Sequence, residues 1–92
     1  MPPESRIVTY DGPPDHTIDL IVLRDIINSQ HIGSILQNAV SVGEHAARCG
    51  FGLSTNECER VRLAAQTCLQ KRRWGESKAR AIQIAENQLT GA

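Results

Sequence analysis

The sequence predicts an all-α single domain of 92 residues, in which an extended arm over residues 1–16 precedes three to four helices. From residue 32 to 49, apolar side chains recur every three or four residues, which is the spacing of one helix face. Ser54, followed three residues later by Glu57, forms a capping box that marks a helix start. All four prolines lie in the arm, where they exclude regular helix.

The first predicted helix covers residues 18–31, and Asp15 or Thr17 can cap its N-terminus. A strand over residues 18–23 stays open as the alternative, because a short apolar run rich in β-branched residues fits either element. The second predicted helix covers residues 32–49. We therefore expect two long helices in the first half of the chain.

The region of residues 54–89 allows two arrangements. Its apolar residues stay in phase at steps of three and four, which is typical of one long helix. They are Cys58, Val61, Ala65, Cys68, Leu69, Ala79, Ile82 and Leu89. Gly75 interrupts this pattern, and a glycine inside a helix costs about 1 kcal/mol relative to alanine. A helical hairpin opened at Gly75 is therefore the alternative, and the sequence leaves both open.

The predicted core is poor in large side chains. Only Tyr10, Phe51 and Trp74 are aromatic, and much of the hydrophobic content is alanine. Small side chains bury little apolar area, and a domain of this length has a thin margin of stability. We therefore expect the chain to work as a homo-oligomer.

Cysteine content indicates the compartment. Cys49, Cys58 and Cys68 form an odd set with no Cys-x-x-Cys pair and no preceding signal peptide. We therefore expect a cytoplasmic protein in which all three thiols are buried. The longest apolar run, residues 20–23, is far too short to cross a bilayer, so no membrane partner is expected.

Charge is distributed unevenly along the chain, although its net value is zero. Residues 1–53 carry three arginines against six carboxylates, a net charge of −3, and residues 54–92 carry seven cations against four carboxylates, a net charge of +3. Such polarity suits docking of one half on the other, or capture of a compact anion. Duplex nucleic acid is not an expected partner, because a protein that coats it is strongly basic.

Sites for a metal or for catalysis are weakly indicated. His45 and Cys49 stand four residues apart, a spacing at which two helix side chains can share a metal. Further ligands would have to come from Cys58 or His31, at spacings of no standard zinc module. We therefore favour a buried thiol beside a surface histidine, and we expect no metal and no other cofactor.

The sequence has no phosphate loop, His-Glu-x-x-His motif or nucleophile elbow, so no enzyme is expected.

A basic cluster ends in a tryptophan, from Lys71 to Trp74. Cations can contact phosphates while an indole stacks on a base, but cations also complement the C-terminal end of a helix. We favour the structural interpretation, with Trp74 in the core. One candidate function is nevertheless a small inhibitor or adaptor that presents its basic face, residues 60–80, to a protein or nucleic-acid-binding partner.

A second candidate site combines Tyr10 with Arg24. Tyr10 offers a flat ring on the arm, and an arginine within an apolar helix needs an anion as its partner. Together they can hold a purine by stacking and a phosphate by a charge-assisted pair. Residue chemistry alone favours a structural alternative, in which Tyr10 fixes the arm to the core. Arg24 would then pair with Asp25 or Asp19.

Short motifs in the first quarter of the chain resemble those of one family. The motifs are Arg6, Thr9-Tyr10, Pro13-Pro14 and Leu23-Arg24. They resemble the opening of the phage anti-CBASS cyclic-nucleotide sponges, which have an arginine, a Thr-Tyr, prolines and a Leu-Arg or Leu-Lys. Leu63-Ala64 and Trp74 are similar to that family's helical hairpin. The chain departs from the family in a longer stretch between Arg24 and Leu63, and in Gly75-Glu76 after the tryptophan.

The resemblance implies a compact helical protomer that assembles as a homohexamer. Such a sponge sequesters cyclic dinucleotides between protomers without cutting them, which blocks CBASS antiviral signalling in the host bacterial cytoplasm. Carried over by position, Tyr10 stacks on a nucleobase and Arg24 grips phosphate, with Thr9 and Pro13 beside them. Members of the family also bind cyclic trinucleotides at a separate site.

Overall fold

The fold is given by a computed structural model, which describes residues 16–91. It consists of the helices α1 (Thr17–Ile27), α2 (Ile32–Ile35), α3 (Ala39–Arg48), α4 (Thr55–Arg73) and α5 (Lys78–Thr90). Residues 16–91 contain no strand, so the all-α prediction is confirmed and the strand alternative for residues 18–23 is wrong. The arm predicted over residues 1–16 lies, but for its last residue, outside the described part.

Helix α4 is the centre of the fold, because it contacts α1, α3 and α5. Its buried face carries mostly small side chains, and α1 supplies most of the larger ones that pack against it. The buried core consists of Val22, Leu23, Ile26, Ile35, Leu36, Val42, Ala46, Cys58, Val61, Ala64, Ala65, Cys68, Ala81, Ala85 and Leu89. None of the helices within residues 16–91 combines the length and the apolarity that crossing a bilayer requires.

Helix α3 lies against α4 at a glycine. A Cβ atom built on Gly43 would lie 3.3 Å from Sγ of Cys58, which is tighter than an ordinary van der Waals contact. The absence of a side chain at this position therefore lets the two helices meet closely.

The start of α4 confirms the predicted capping box. The backbone N–H of Glu57 donates to Oγ of Ser54 over 3.1 Å, and the backbone N–H of Ser54 donates to Oε1 of Glu57 over 2.9 Å. Two N–H groups that the helix itself leaves unpaired are thereby satisfied.

The continuous helix predicted over residues 32–49 is wrong. The chain leaves the helical conformation after the single turn of α2, and Asn38 is fully extended. Its Oδ1 accepts a hydrogen bond of 2.8 Å from the backbone N–H of Ser41, which makes Asn38 the N-cap of α3. A side chain that bonds the backbone in this way competes with helix propagation, and it starts a new helix here. This separate turn raises the helix count to five, above the predicted three to four.

The chain between α4 and α5 forms a helical hairpin, so the alternative of one long helix over residues 54–89 is wrong. Gly75 adopts φ of +101°, a left-handed conformation that glycine accepts without a steric penalty. Ser77 then caps α5 by accepting a hydrogen bond from the backbone N–H of Arg80. Because the turn resets the phase of the apolar face, Ala81 is buried whereas Ala79, which the long-helix pattern placed in the core, is exposed.

The burial of α1 generates a stability prediction. Ile26 is fully buried, whereas Ile18 on the same helix is 43% exposed. We expect Ile26→Ala to lower the free energy of unfolding by about 2–5 kcal/mol, because it removes buried methyl groups and leaves a cavity. The matched control Ile18→Ala should change it by less than about 0.5 kcal/mol. Urea denaturation followed by circular dichroism measures both, and equal losses would contradict the orientation of α1.

Candidate functional site

Of the four predicted ligand-binding residues, Arg24 lies within the described part, and Thr9, Tyr10 and Pro13 lie outside it. Arg24 lies on α1 with its side chain 60% exposed. Its Nε donates to Oε2 of Glu86 on α5 over 2.5 Å. The hydrogen bond and charge of Glu86 hold the pKa of Arg24 above its usual value. The structural alternative was right that Arg24 has a carboxylate partner, but the partner is not Asp25 or Asp19.

Arg24 lines a surface cleft of about 430 Å³. The lining residues are Ile21, Arg24, Asp25, Asn28, Cys49 and Phe51. The cleft therefore combines a guanidinium, a group that can bind anions, with an aromatic ring, a group that can stack on planar molecules. Two carboxylates disfavour the binding of a phosphate in this cleft. Glu86 already accepts a hydrogen bond from the guanidinium of Arg24, and Asp25 is one of the lining residues.

A cluster of Asp25, His45 and Cys49 lies where α1 meets the C-terminal end of α3. Oδ2 of Asp25 lies 2.5 Å from Nε2 of His45 and 3.4 Å from Sγ of Cys49. One ligand atom from each residue lies within 4.8 Å of the others.

The predicted burial of the cysteines is confirmed for Cys58 and Cys68. It is wrong for Cys49, which is exposed at the C-cap of α3.

The electrostatics of this cluster favour a protonated thiol. Hydrogen bonds from His45 and then from Cys49 lower the pKa of the Asp25 carboxyl. Partial burial raises the pKa of the Cys49 thiol, and the hydrogen bond to Asp25 raises it further. The thiol donates to the carboxylate rather than to an imidazole, so this geometry does not activate the sulfur as a nucleophile.

The sequence signal for this cluster was incomplete. The spacing of His45 and Cys49 pointed to two of its members. The prediction of a buried thiol beside a surface histidine is wrong, however, because His45 is the less exposed of the two side chains. Asp25 precedes His45 by 20 residues and belongs to another helix. Only the packing of α1 and α3 against α4 brings it to them, and no local spacing encodes that packing.

Trp74 follows the last residue of α4 and is 68% exposed, so its assignment to the core is wrong. It lies six residues beyond Cys68, which at 3.6 residues per turn is about 120° away from the buried face. Nζ of Lys71 lies 5.2 Å from the centroid of its ring. Arg72 and Arg73 are exposed beside it. We call Leu63, Lys71, Arg72, Arg73 and Trp74 the Trp74 surface.

A groove of about 450 Å³ belongs to this surface. Leu63 and Arg73 line it together with glutamines of α4 and α5. Leu63 is a further exposed large apolar residue. Leu63 lies 11 residues, or about 16 Å along the helix, before Trp74, and Arg73 is the residue that the groove shares with the cations beside Trp74.

Asp19 is a buried acidic residue whose environment the sequence did not predict. Its Oδ2 lies 3.6 Å from Nδ1 of His16 and 4.0 Å from Nη2 of Arg60. Burial, and then the charge of Glu57, raise the pKa of its carboxyl. These contacts join the N-terminus of α1 to α4, so we assign Asp19 a structural role.

Comparison of the chain with protein-family models, with curated proteins and with solved structures finds no significant match. Function is therefore inferred from the chemistry of the Trp74 surface, of the Arg24 cleft and of the Asp25 cluster.

The lowered pKa of Asp25 generates a pH prediction. Because the carboxyl has a lower pKa in the folded chain than its ordinary 3.8, its ionised form adds stability above that pH. This contribution is lost as the pH falls through the folded pKa. Asp25→Asn should therefore lower the free energy of unfolding at near-neutral pH, by up to about 1 kcal/mol for so exposed a pair.

The difference between wild type and Asp25→Asn should shrink below pH 3.8. Urea denaturation of both proteins across the pH range, with a metal chelator present, measures it. A difference that grows as the pH falls would contradict the role of the ionised carboxylate.

Proposed function

We propose that the protein is a non-catalytic binding module whose Trp74 surface docks on an acidic protein partner. The observation that carries this proposal is the exposure of Trp74 among cations. An indole that stays exposed to water does not contribute the large favourable free energy that burial of its apolar surface would give. A partner that covers Trp74 recovers that free energy.

The composition of the surface is that of a protein-binding site. Tryptophan and arginine are enriched among the residues that dominate binding free energies. Leu63 adds an apolar contact on the same side of α4 as the groove. An interface with Trp74 at its centre and the arginines at its rim would match the usual arrangement of an apolar core and a polar periphery.

Charge selects the class of partner. Residues 71–80 contain five cations and one carboxylate, Glu76. Opposite charge on a partner accelerates association and excludes basic surfaces. An acidic protein segment with apolar side chains therefore complements both features of the Trp74 surface.

The test uses a synthetic helical peptide that carries glutamates on one face and leucines on the other. Trp74 is the single tryptophan of the chain, so its intrinsic fluorescence reports on the surface directly. We expect the peptide to shift the emission of Trp74 to shorter wavelength, and we expect added salt to weaken binding because it screens the charges.

The double variant Arg72→Glu and Arg73→Glu should weaken peptide binding at least about tenfold, because it reverses the charge at the rim. Arg48→Glu reverses an exposed arginine on α3 and serves as the matched control. Equal affinities of the two variants, or an unshifted Trp74 emission, would overturn the docking proposal. A shift in emission that depends on protein concentration and not on peptide would instead identify a second copy as the partner, and would likewise overturn it.

We also propose a second function, sequestration of cyclic oligonucleotide messengers as an anti-CBASS sponge in the bacterial cytoplasm. Two observations support it. The motifs around Tyr10 and Arg24 resemble those of the sponge family, and Arg24 lies exposed in a cleft beside Phe51. A phosphate bound by Arg24 would displace Glu86, its partner in the protein alone.

The sponge proposal includes assembly as a homo-oligomer, in which Tyr10 of one copy can complete the cleft of another. Ile18 and Ile21, one helical turn apart on α1, are exposed, and so is Val40 on α3. Exposed apolar side chains of this kind supply a surface that association of copies would bury.

Cyclic dinucleotides and cyclic trinucleotides at micromolar concentration test the sponge proposal by thermal shift. A ligand present at 100 times its Kd adds about 2.7 kcal/mol to the folded state, which raises the Tm by several degrees. Tyr10→Ala or Arg24→Ala should abolish the shift. Glu86→Gln frees the guanidinium and should retain or increase it, which separates a ligand-binding role of Arg24 from a structural one. An unchanged Tm with every nucleotide, or full retention in Arg24→Ala, would refute this function.

A further inference from the structure

Two helices bring three different metal-binding groups together at one exposed corner of the fold. Asp25 supplies a carboxylate from α1, and His45 and Cys49 supply an imidazole and a thiol from the C-terminal end of α3. We propose that these three side chains bind one Zn²⁺ ion. The proposal does not rest on either function above, although Asp25 and Cys49 also line the Arg24 cleft.

The three ligand atoms, one sulfur, one nitrogen and one oxygen, favour Zn²⁺ over Ca²⁺ and Mg²⁺. Zn²⁺ accepts sulfur, nitrogen and oxygen ligands in one tetrahedral site, whereas Ca²⁺ and Mg²⁺ prefer oxygen alone. Three protein ligands leave a fourth position for water, as in zinc sites that remain open. A thiolate and a carboxylate together carry the charge of −2 that balances Zn²⁺.

Two of the three distances between ligand atoms lie within about 1 Å of those that zinc requires, and the third is within 4.8 Å. With zinc bonds of about 2.0–2.3 Å, tetrahedral geometry places two ligand atoms about 3.3–3.5 Å apart. Sγ of Cys49 and Oδ2 of Asp25 are 3.4 Å apart already. Nε2 of His45 and Oδ2 of Asp25, at 2.5 Å, have to separate by about 1 Å. The Asp25 side chain is 53% exposed and can rotate to allow this.

The backbone around the cluster is fixed by the core. On α1, Asp25 directly precedes Ile26, which is fully buried, and on α3, His45 directly precedes Ala46, which is also fully buried. His45 and Cys49 are four residues apart, so they lie one above the other on the same side of α3. Zinc binding would therefore require movement of side chains rather than of helices.

Binding replaces two hydrogen bonds by bonds to the metal. The thiol proton of Cys49 passes to solvent, and the sulfur binds Zn²⁺ as a thiolate, with no change of oxidation state. The imidazole binds through Nε2 in its neutral form, so the Nε2 proton that Asp25 accepts also leaves, and Nδ1 carries the proton that remains on the ring. Asp25 and Cys49 line the open Arg24 cleft, so water could reach an ion that they hold.

Zinc titration of the reduced full chain by isothermal calorimetry tests the site, with Co²⁺ as the spectroscopic probe. We expect one Zn²⁺ per chain and a thiolate-to-cobalt charge-transfer band. Cys49→Ser and His45→Gln should each lower the affinity for Zn²⁺ by more than about 100-fold, because even substitutions outside the ligand set cost 10- to 100-fold. His31→Gln replaces an exposed histidine outside the cluster and should bind as the wild type does.

Alkylation of the wild-type protein gives a second measurement that needs no variant. Cys49 is exposed whereas Cys58 and Cys68 are buried, so iodoacetamide should modify Cys49 first, and Zn²⁺ should slow that reaction at least about tenfold. The proposal is overturned if the cobalt band persists in Cys49→Ser, or if Zn²⁺ leaves the alkylation rate unchanged. Binding that His31→Gln weakens as much as His45→Gln does would show adventitious surface binding only, and would overturn it as well.

Discussion

Close packing against the small side chains of α4 is the constraint on which the rest of this fold depends. Ala64, Ala65 and Cys68 face inward from α4, and α1, α3 and α5 all contact this helix. Because alanine contributes little apolar area, much of the burial comes from Val22, Leu23 and Ile26 of α1 and from Val42 of α3. Any shift of those two helices would therefore expose the core and also separate the groups of the Asp25 cluster.

Both candidate regions on the first half of the fold follow from the position of α1. One side of α1 supplies Leu23 and Ile26 to the core, and the opposite side supplies Arg24 and Asp25 to the surface. Arg24 reaches α5 through Glu86, while Asp25 reaches α3 through His45. Consecutive residues of one helix thus connect it to two different neighbours. The same connections place a cation and a carboxylate side by side in one cleft.

Local signals in the sequence predicted part of the local structure, although α1 ends at Ile27 rather than at residue 31 and its N-cap is His16 rather than Asp15 or Thr17. The capping box at Ser54 and the hairpin alternative at Gly75 are both present in the structure, because each depends on a few neighbouring residues. The break before Asn38 was missed, since apolar spacing continues across it and only the side-chain cap reveals it. The exposure of Trp74 was also missed, although its position six residues beyond Cys68 places it about 120° from the buried face of α4. Arg24 as a surface cation was predictable, but its pairing with Glu86 depends on a contact across 62 residues.

The length of α4 has a further consequence. Cys58, which faces Gly43 of α3, and Trp74 are separated by 16 residues, or about 24 Å at 1.5 Å per residue. The buried face of α4 between these two positions contains Ala64 and Ala65, and the exposed side chains at the two ends of the helix are too far apart to touch. A substitution of a surface residue at one end can therefore leave the other end unchanged, whereas a larger side chain at Ala64 or Ala65 would disturb the packing of the whole fold.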